Sequence, residues 1–462
     1  MQKNEEYIVD IIDNGFEGEG IAKINNFTVF IPGAIKGEKI KILIVKVTSS
    51  YAFGKILEIL KASEYRCNPV DCATYKRCGG CNLRHIQYKE TLNMKKNTVQ
   101  NLVNKNLKQK IEVEQTIGME NPYNYRDKAQ FPVGVDKKGN PVVGVFANRT
   151  HEIIPIDKCL IQTDDSQEIA KFICEFAKEN NIAIYDETKQ TGILRHIIIR
   201  TGIRTNEIMC ILVIKEDKFA SEEKLVKKLI HKFKNIKTIV KNINSKNTNV
   251  ILGKKNINLY GNGYIYDNLG DYTFKISPLS FYQINPVQTE KLYNLVLQGA
   301  KLTGNETVFD LYCGIGTIGI YMANHAKEVY GIEIVEQAIE DAKENCKINN
   351  IKNAHYYAGD TEKLLAKLIY GDNIQPGVIV VDPPRKGLDN TTIENILKIK
   401  PERIVYISCN PATLVRDLAK IEEKYHIEKI QPVDMFPFTS HVECVVVLQQ
   451  KKWQIHKIML TY

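Results

Sequence analysis

No stretch of the 462-residue sequence approaches the roughly 18 consecutive apolar residues of a membrane-spanning helix, so no membrane partner is expected. The opening residues, Met1 to Glu6, lack the apolar region of a secretory signal. A cytoplasmic protein with reduced thiols is therefore expected. There is no internal repeat and no low-complexity segment, which excludes a solenoid or a tethering chain. What is present needs explaining. Eleven cysteines in a reducing compartment must be buried, hold a metal or react. The net charge of +9 favours a polyanionic partner over a merely solvated basic surface. The length suggests about three domains.

Residues 1–62 read as short strands broken by glycines, among them "GIAKINNFTVFIP", "EKIKILIVKVTSS" and "FGKILEIL". Strands about ten residues apart with Gly/Pro turns predict a small OB-like β-barrel. Residues 63–275 form an α+β central domain. It holds a cysteine cluster, a basic amphipathic helix over 86–106 expected to pack on the C-terminal domain, and a hairpin around Gly139-Asn140. It also holds a helix over 221–235 with Leu225, Leu229 and Phe233 on one stripe. From about residue 276 to 462, "ETVFDLY", "EVYGIE", "AHYYAG", "GVIVVDPP" and "RIVYISC" alternate with helical segments. That pattern predicts an α/β fold with a parallel, doubly wound, Rossmann-like sheet. The final apolar stretches lack a crossover helix, so a terminal antiparallel hairpin at the sheet edge is expected.

"CATYKRCGGC" gives Cys72-x5-Cys78-x2-Cys81, and Cys159 follows in "IDKCLIQ". Four thiolates suit a [4Fe–4S] cluster or one tetrahedral zinc ion, and spacing alone does not separate the two. The x5 spacing and the fourth cysteine argue against the open iron of a radical enzyme. Cys67 is a spare thiol nearby.

In "VFDLYCGIGTIGIYMA", Gly314-x-Gly316-x2-Gly319 sits between a strand and a helix, and Glu333 ends the next strand. This matches the dinucleotide fingerprint, so a nicotinamide cofactor has to be weighed. Asp310 tips the balance. A carboxylate at that turn repels a pyrophosphate, whereas S-adenosylmethionine carries an ammonium and a sulfonium. Glu333 binds ribose hydroxyls in either case.

Two further strand ends carry chemistry. "VVDPPRKGL" brings up Asp382, and "VYISCNPATL" brings up Cys409. Arg385 stands where adenine-amino methyltransferases place a stacking aromatic. The second cysteine of the RNA cytosine methyltransferases is absent. A thiolate added to carbon 6 of uracil makes carbon 5 nucleophilic, after which a base must remove the carbon-5 proton. Cys409 is the candidate nucleophile. Glu443 in "SHVECVVVL" is the candidate base.

These stretches together resemble one family. "SCNPATLVRDL", "FDLYCGIGTIG", "DPPRKG" and "HVE" are similar to the bacterial RNA uracil-C5 methyltransferases, the 23S rRNA and tRNA 5-methyluridine enzymes. "GFEGEGIAKINNFTVFIPGAIKGE" resembles the family's TRAM domain, an RNA-binding barrel, and "ISPLSFYQINPVQTEKLY" the entry to its class I methyltransferase domain. The resemblance implies Cys409 as nucleophile and Glu443 as base. It places Gln283, Tyr312, Gly314, Thr317, Glu333, Asp360 and Asp382 around the donor S-adenosylmethionine and the uracil. It implies a [4Fe–4S] cluster on Cys72, Cys78, Cys81 and Cys159, and a monomer acting on 23S rRNA. The rRNA branch is expected because the group's tRNA enzymes typically lack both the TRAM segment and the cluster. The alternatives are a tRNA 5-methyluridine methyltransferase and a non-catalytic RNA-binding iron–sulfur protein.

Overall fold

The computed structural model describes residues 1–451 apart from positions 70, 149, 218 and 220. The chain clusters into two compact units, each assembled from several segments. The first takes Met1–Thr98, Thr116–Lys291 and Asp434–His441. The second takes Val99–Gln115, Leu292–Val433 and Val442 onward.

The first unit opens with β1 (Glu6–Asp10), β2 (Asp13–Asn14), β3 (Gly20–Ile24), β4 (Phe27–Ile31), β5 (Lys39–Val47) and β6 (Tyr51–Lys61). They form one six-stranded sheet in the order β1-β5-β6-β4-β3-β2. Strict alternation sets its inner face: Ile40, Ile42 and Ile44 of β5 are buried with Val29, Ile31 and Ala52. Helix α1 (Tyr88–Asn106) follows; its first turns belong to this unit, and its last turns, with Val99 and Val103 buried, to the second.

The rest of the first unit is a seven-stranded sheet. Its strands are β7 (Lys128–Val135), β8 (Pro141–Phe146), β9 (Ile153–Pro155), β10 (Leu194–Thr201), β11 (Ile208–Ile214), β12 (Ile236–Ile243) and β13 (Lys255–Tyr260). They lie in the order β13-β12-β11-β10-β7-β8-β9. Helices α2 (Asp164–Glu179) and α3 (Glu222–Lys232) cover it; Leu225 and Leu229 of α3 are fully buried and Phe233 caps the helix. A hairpin of β14 (Ile265–Leu269) and β15 (Tyr272–Ile276) leads to α4 (Pro286–Ala300).

The second unit alternates β16 (Thr307–Leu311), α5 (Thr317–Ala323), β17 (Glu328–Glu333), α6 (Glu336–Ile348), β18 (Ala354–Ala358), α7 (Thr361–Ala366), β19 (Val378–Val381), α8 (Asn390–Ile399), β20 (Arg403–Ser408) and α9 (Pro411–Ile421). It ends in β21 (Tyr425–Val433) and β22 (Glu443–Gln450). The sheet order is β18-β17-β16-β19-β20-β22-β21. Pairs among β16 to β20 are parallel, and β22 is antiparallel to both β20 and β21. Strand order reverses between β16 and β19, and ligands of such sheets bind outside the carboxyl ends beside that reversal. Continuous apolar runs such as Val378–Val381 suit strands covered on both faces. Among the described residues no helix is long and apolar enough to cross a membrane.

Candidate active site

The carboxyl ends of neighbouring strands gather the chemistry. β16 carries Asp310, β17 Glu333, β19 leads into Asp382, and β20 leads into Cys409. Because β22 runs the other way, its first residue lies at this same edge. Ser408 pairs with Cys444, which brings Glu443 level with Cys409. The sheet register, not sequence proximity, brings the Cys409 thiol and the Glu443 carboxyl together.

The Cys409 loop is built rigidly. Asn410 caps α9 by accepting from the Ala412 amide at 3.1 Å, and Pro411 opens the helix. The Asn410 Nδ2 and Thr413 Oγ1 both donate to the Arg385 carbonyl, at 3.1 and 3.2 Å. Arg416 donates to the carbonyls of Lys386 and Leu388. Fully buried Asp417 accepts from the Leu388 amide and the Tyr406 hydroxyl, each at 2.8 Å. Gly387 is required here: its φ is +75°, and a Cβ would sit 2.5 Å from Asp417 Oδ2. The Asp382–Leu388 loop is thereby fastened to the helix that follows Cys409.

Charge is crowded at this edge. Burial pushes Glu443 up to about 8, with Asp382 adding to the rise and Arg385 opposing it. Burial likewise pushes Asp382 up to about 7. Asp310 is pushed up to about 8 by burial, held back by the Gly319 amide and raised by Asp382 and Glu333. Cys409, half-buried, is pushed up to about 11 by burial, then by Glu443 and Asp382, against the pull of Arg385. A cationic ligand beside so many buried carboxyls would favour their ionised forms.

The glycine turn has the features of a donor cradle. Asp310 Oδ2 accepts the Gly319 amide at 2.9 Å, while Oδ1 is buried with no partner among the described residues. An ammonium would satisfy it. Gly314 has a φ of +54°, and a Cβ there would meet nothing within 4 Å, so bare backbone faces open space. Glu333 accepts the Gly314 amide at 3.2 Å and the Val335 amide at 3.0 Å, which ties the turn to the next strand end. Tyr312 holds a φ of +66°, a strained value of the kind concentrated at functional sites. Its ring packs on the core and its hydroxyl reaches Thr392 and Asp389. The Thr317 hydroxyl lies 2.7 Å from that of buried Tyr293. Asp360 is exposed and caps α7, accepting the Lys363 amide at 3.2 Å. Gln283 is 9% exposed and belongs to the first unit, between β15 and α4.

The four cysteines also lie in the first unit. Cys72, Cys78 and Cys81 stand between β6 and α1, and Cys159 between β9 and α2, all half-buried. They sense one another's charge: Cys159, Cys78 and Cys72 all raise Cys81, which burial first pushes up to about 12. Cys78 Sγ accepts the Gly80 amide at 3.2 Å, and the amides of Ile161 and Gln162 donate to Cys159. Tyr125, Ile161 and Phe438 pack with Cys81 and Cys159. Arg84 and Arg126 place positive charge near Cys81 and Cys159. Amide donors, cations and an apolar cover fit an anionic thiolate cluster. Among the described residues, however, no three His, Cys, Asp or Glu side chains form a group able to hold a metal ion. Cys67 stays outside this set, donating to the Arg84 carbonyl at 3.2 Å.

Two residues were not singled out as functional from the sequence. Arg385 registered there only as a missing aromatic, although a cation after "DPP" opposes the acidic strand ends. Asp417 gave no signal beyond a charged residue at a helical position.

The family model described as tRNA (uracil-5-)-methyltransferase matches residues 87–451, and that of the TRAM domain matches residues 2–57. A protein of Clostridium tetani (strain Massachusetts / E88) named an uncharacterized RNA methyltransferase is 46% identical over 449 residues, 97% of each chain. A protein of Staphylococcus aureus (strain MSSA476) with a similar name is 45% identical over 452 residues, 98% of this chain and 99% of its own. The crystal structure of Pyrococcus abyssi tRNA (uracil-54, C5)-methyltransferase in complex with S-adenosyl-L-homocysteine is similar with a TM-score of 0.77 at 26% identity. It covers 96% of this chain and 100% of that one.

Proposed function

The chain belongs to the tRNA (uracil-5-)-methyltransferase family, and from that premise we propose that it methylates carbon 5 of a specific uridine in 23S rRNA, with Cys409 as nucleophile and Glu443 as base. It is an S-adenosylmethionine-dependent RNA methyltransferase with a TRAM domain and a Rossmann-like sheet. The observation that carries the mechanism is the register that sets Glu443 level with Cys409, beside Asp382.

S-adenosylmethionine, a substrate of the reaction, supplies the methyl group. Its positive charges suit Asp310, whose Oδ1 lacks a partner among the described residues, and its ribose suits Glu333. Gly314, Tyr312 and Thr317 border the same turn, Asp360 caps α7 after β18, and Gln283 is assigned to the donor as well. Asp382 lines the donor and uracil pocket. The Cys409 sulfur bonds carbon 6, the electron pair moves to carbon 5, and carbon 5 takes the methyl group. Glu443 then accepts the carbon-5 proton, and the carbon 6–sulfur bond breaks to return the thiolate. Arg385 opposes the burial that keeps Cys409 protonated, and a bound sulfonium would act in the same direction.

The four cysteines are assigned to a [4Fe–4S] cluster with a structural role, in preference to zinc. The 23S rRNA target draws support from the TRAM segment occurring together with all four cysteines. A specific observation favours tRNA instead: the Pyrococcus abyssi enzyme, similar across 96% of this chain, is named for tRNA. The chain is taken to act in the cytoplasm as a monomer. Transfer of labelled methyl to 23S rRNA fragments and to tRNA, run side by side, separates the targets. Label in the rRNA fragments alone is expected, and label confined to tRNA would move the assignment.

A further inference from the structure

A buried guanidinium whose charge is felt by Cys81 has donors that meet no acceptor among the described residues. Arg84 lies three residues after Cys81 and is 7% exposed. Its Nη2 reaches both oxygens of Asp71 at 2.7 Å, on the more exposed side. Its Cζ lies 4.6 Å from the centre of the Phe438 ring and 5.6 Å from that of Tyr123. These contacts fix the head of the side chain, yet Nε and Nη1 are buried and meet no acceptor among the described residues. Interiors rarely leave the donors of a cation unpaired. Arg126, whose charge is felt by Cys159, has a buried Nε in the same condition. Arg84 and Arg126 thus place positive charge near Cys81 and Cys159, and what their orphan donors lack is an anion with several acceptors. Four thiolates joined to four bridging sulfides are such an anion.

Resting on the cluster reading above, we propose that Arg84 donates through Nε and Nη1 to the sulfur atoms of the iron–sulfur cluster and compensates its charge. Asp71 cancels part of that compensation from the outer side. One-electron reduction of the cluster by dithionite adds a negative charge, which a neighbouring cation stabilises. Arg84 therefore raises the reduction potential and Asp71 lowers it.

The test uses the full chain purified without air. Iron and acid-labile sulfide are counted first, and the cluster is then titrated with dithionite while its paramagnetic signal is followed. Arg84→Met is expected to retain iron and sulfide and to reduce at a more negative potential than the native chain. Asp71→Asn is expected to shift the other way. Should Arg84→Met fail to hold iron, Arg84→Lys, which keeps the charge but loses the forked donors, is read in its place, and a negative shift is again expected. Unchanged potentials in iron-loaded variants, or shifts of one sign in both, would overturn the role of Arg84 and leave the cluster standing. A native chain without iron would instead overturn the cluster reading itself.

Discussion

The carboxyl that removes the carbon-5 proton must be ionised when the methylated adduct breaks down. By that stage the donor has lost its sulfonium charge and Cys409 is a neutral thioether. Neither then adds a charge beside Glu443. Burial and Asp382 push Glu443 up to about 8, so roughly a tenth is ionised at about pH 7, half at pH 8 and nine tenths at pH 9. Breakdown of the adduct is expected to accelerate about ninefold across that range and then level off. The assay is a single turnover on target RNA, quenched in denaturant, with the covalent RNA–protein species resolved on a gel. Deuterium at carbon 5 of the target uridine should slow breakdown throughout, which ties the profile to proton removal. Arg385 holds Glu443 down, so Arg385→Met should move the midpoint to higher pH. A flat profile, or breakdown that slows as pH rises, would refute the assignment of Glu443.

The same burial makes stability depend on pH. Asp310, Asp382 and Glu443 carry folded-state values of about 8, 7 and 8, above those of an unfolded chain. Their stabilising contribution is therefore full below about pH 4 and lost as pH rises through about 7 to 8. The melting temperature of the donor-free protein should fall between about pH 5 and 8.5, and added S-adenosylmethionine should raise it more at the upper end; a melting temperature that rises over that interval would contradict the buried carboxyls. Asp417→Ala strips the partner from the Tyr406 hydroxyl, the Leu388 amide and Arg416. A loss of about 3 kcal/mol by urea unfolding is expected; an unchanged midpoint would show that the loop beside Cys409 is held by other contacts. Deleting residues 1–62 should weaken RNA binding and its salt dependence while donor binding persists, measured by filter binding and by calorimetry. Undiminished RNA affinity would remove the TRAM domain from the substrate account.

Much of the second unit was legible in the sequence because its strands are buried on both faces. "VIVV" and "RIVYIS" have no polar alternation to confuse with another element, and the glycine turn after "VFDLY" marks a strand-to-helix reversal. The missing crossover helix before "ECVVVLQQ" signalled the antiparallel hairpin. That hairpin's register is what brings Glu443 beside Cys409, and its place at a strand end was readable from the motif. Other features depend on contacts that local periodicity does not encode. Residues 99–115 and 434–441 each belong to a different unit from their chain neighbours, because long-range packing decides that membership. The clamp through Asp417 joins residues about 30 positions apart. The left-handed backbone of Tyr312 and the bond between Thr317 and Tyr293 likewise have no counterpart in composition or spacing.

The central claim is that Cys409 bonds carbon 6 of the target uracil, and an RNA carrying 5-fluorouridine at that position tests it most directly. Fluorine cannot leave as a proton does, so elimination stalls after methyl transfer. The native enzyme should form an RNA–protein adduct that survives denaturation and whose mass includes one methyl group, with the link mapped to Cys409. Cys409→Ala should form none and should not turn over ordinary RNA. A Cys409→Ala enzyme that still methylates uridine, or an adduct mapped to another residue, would contradict the account.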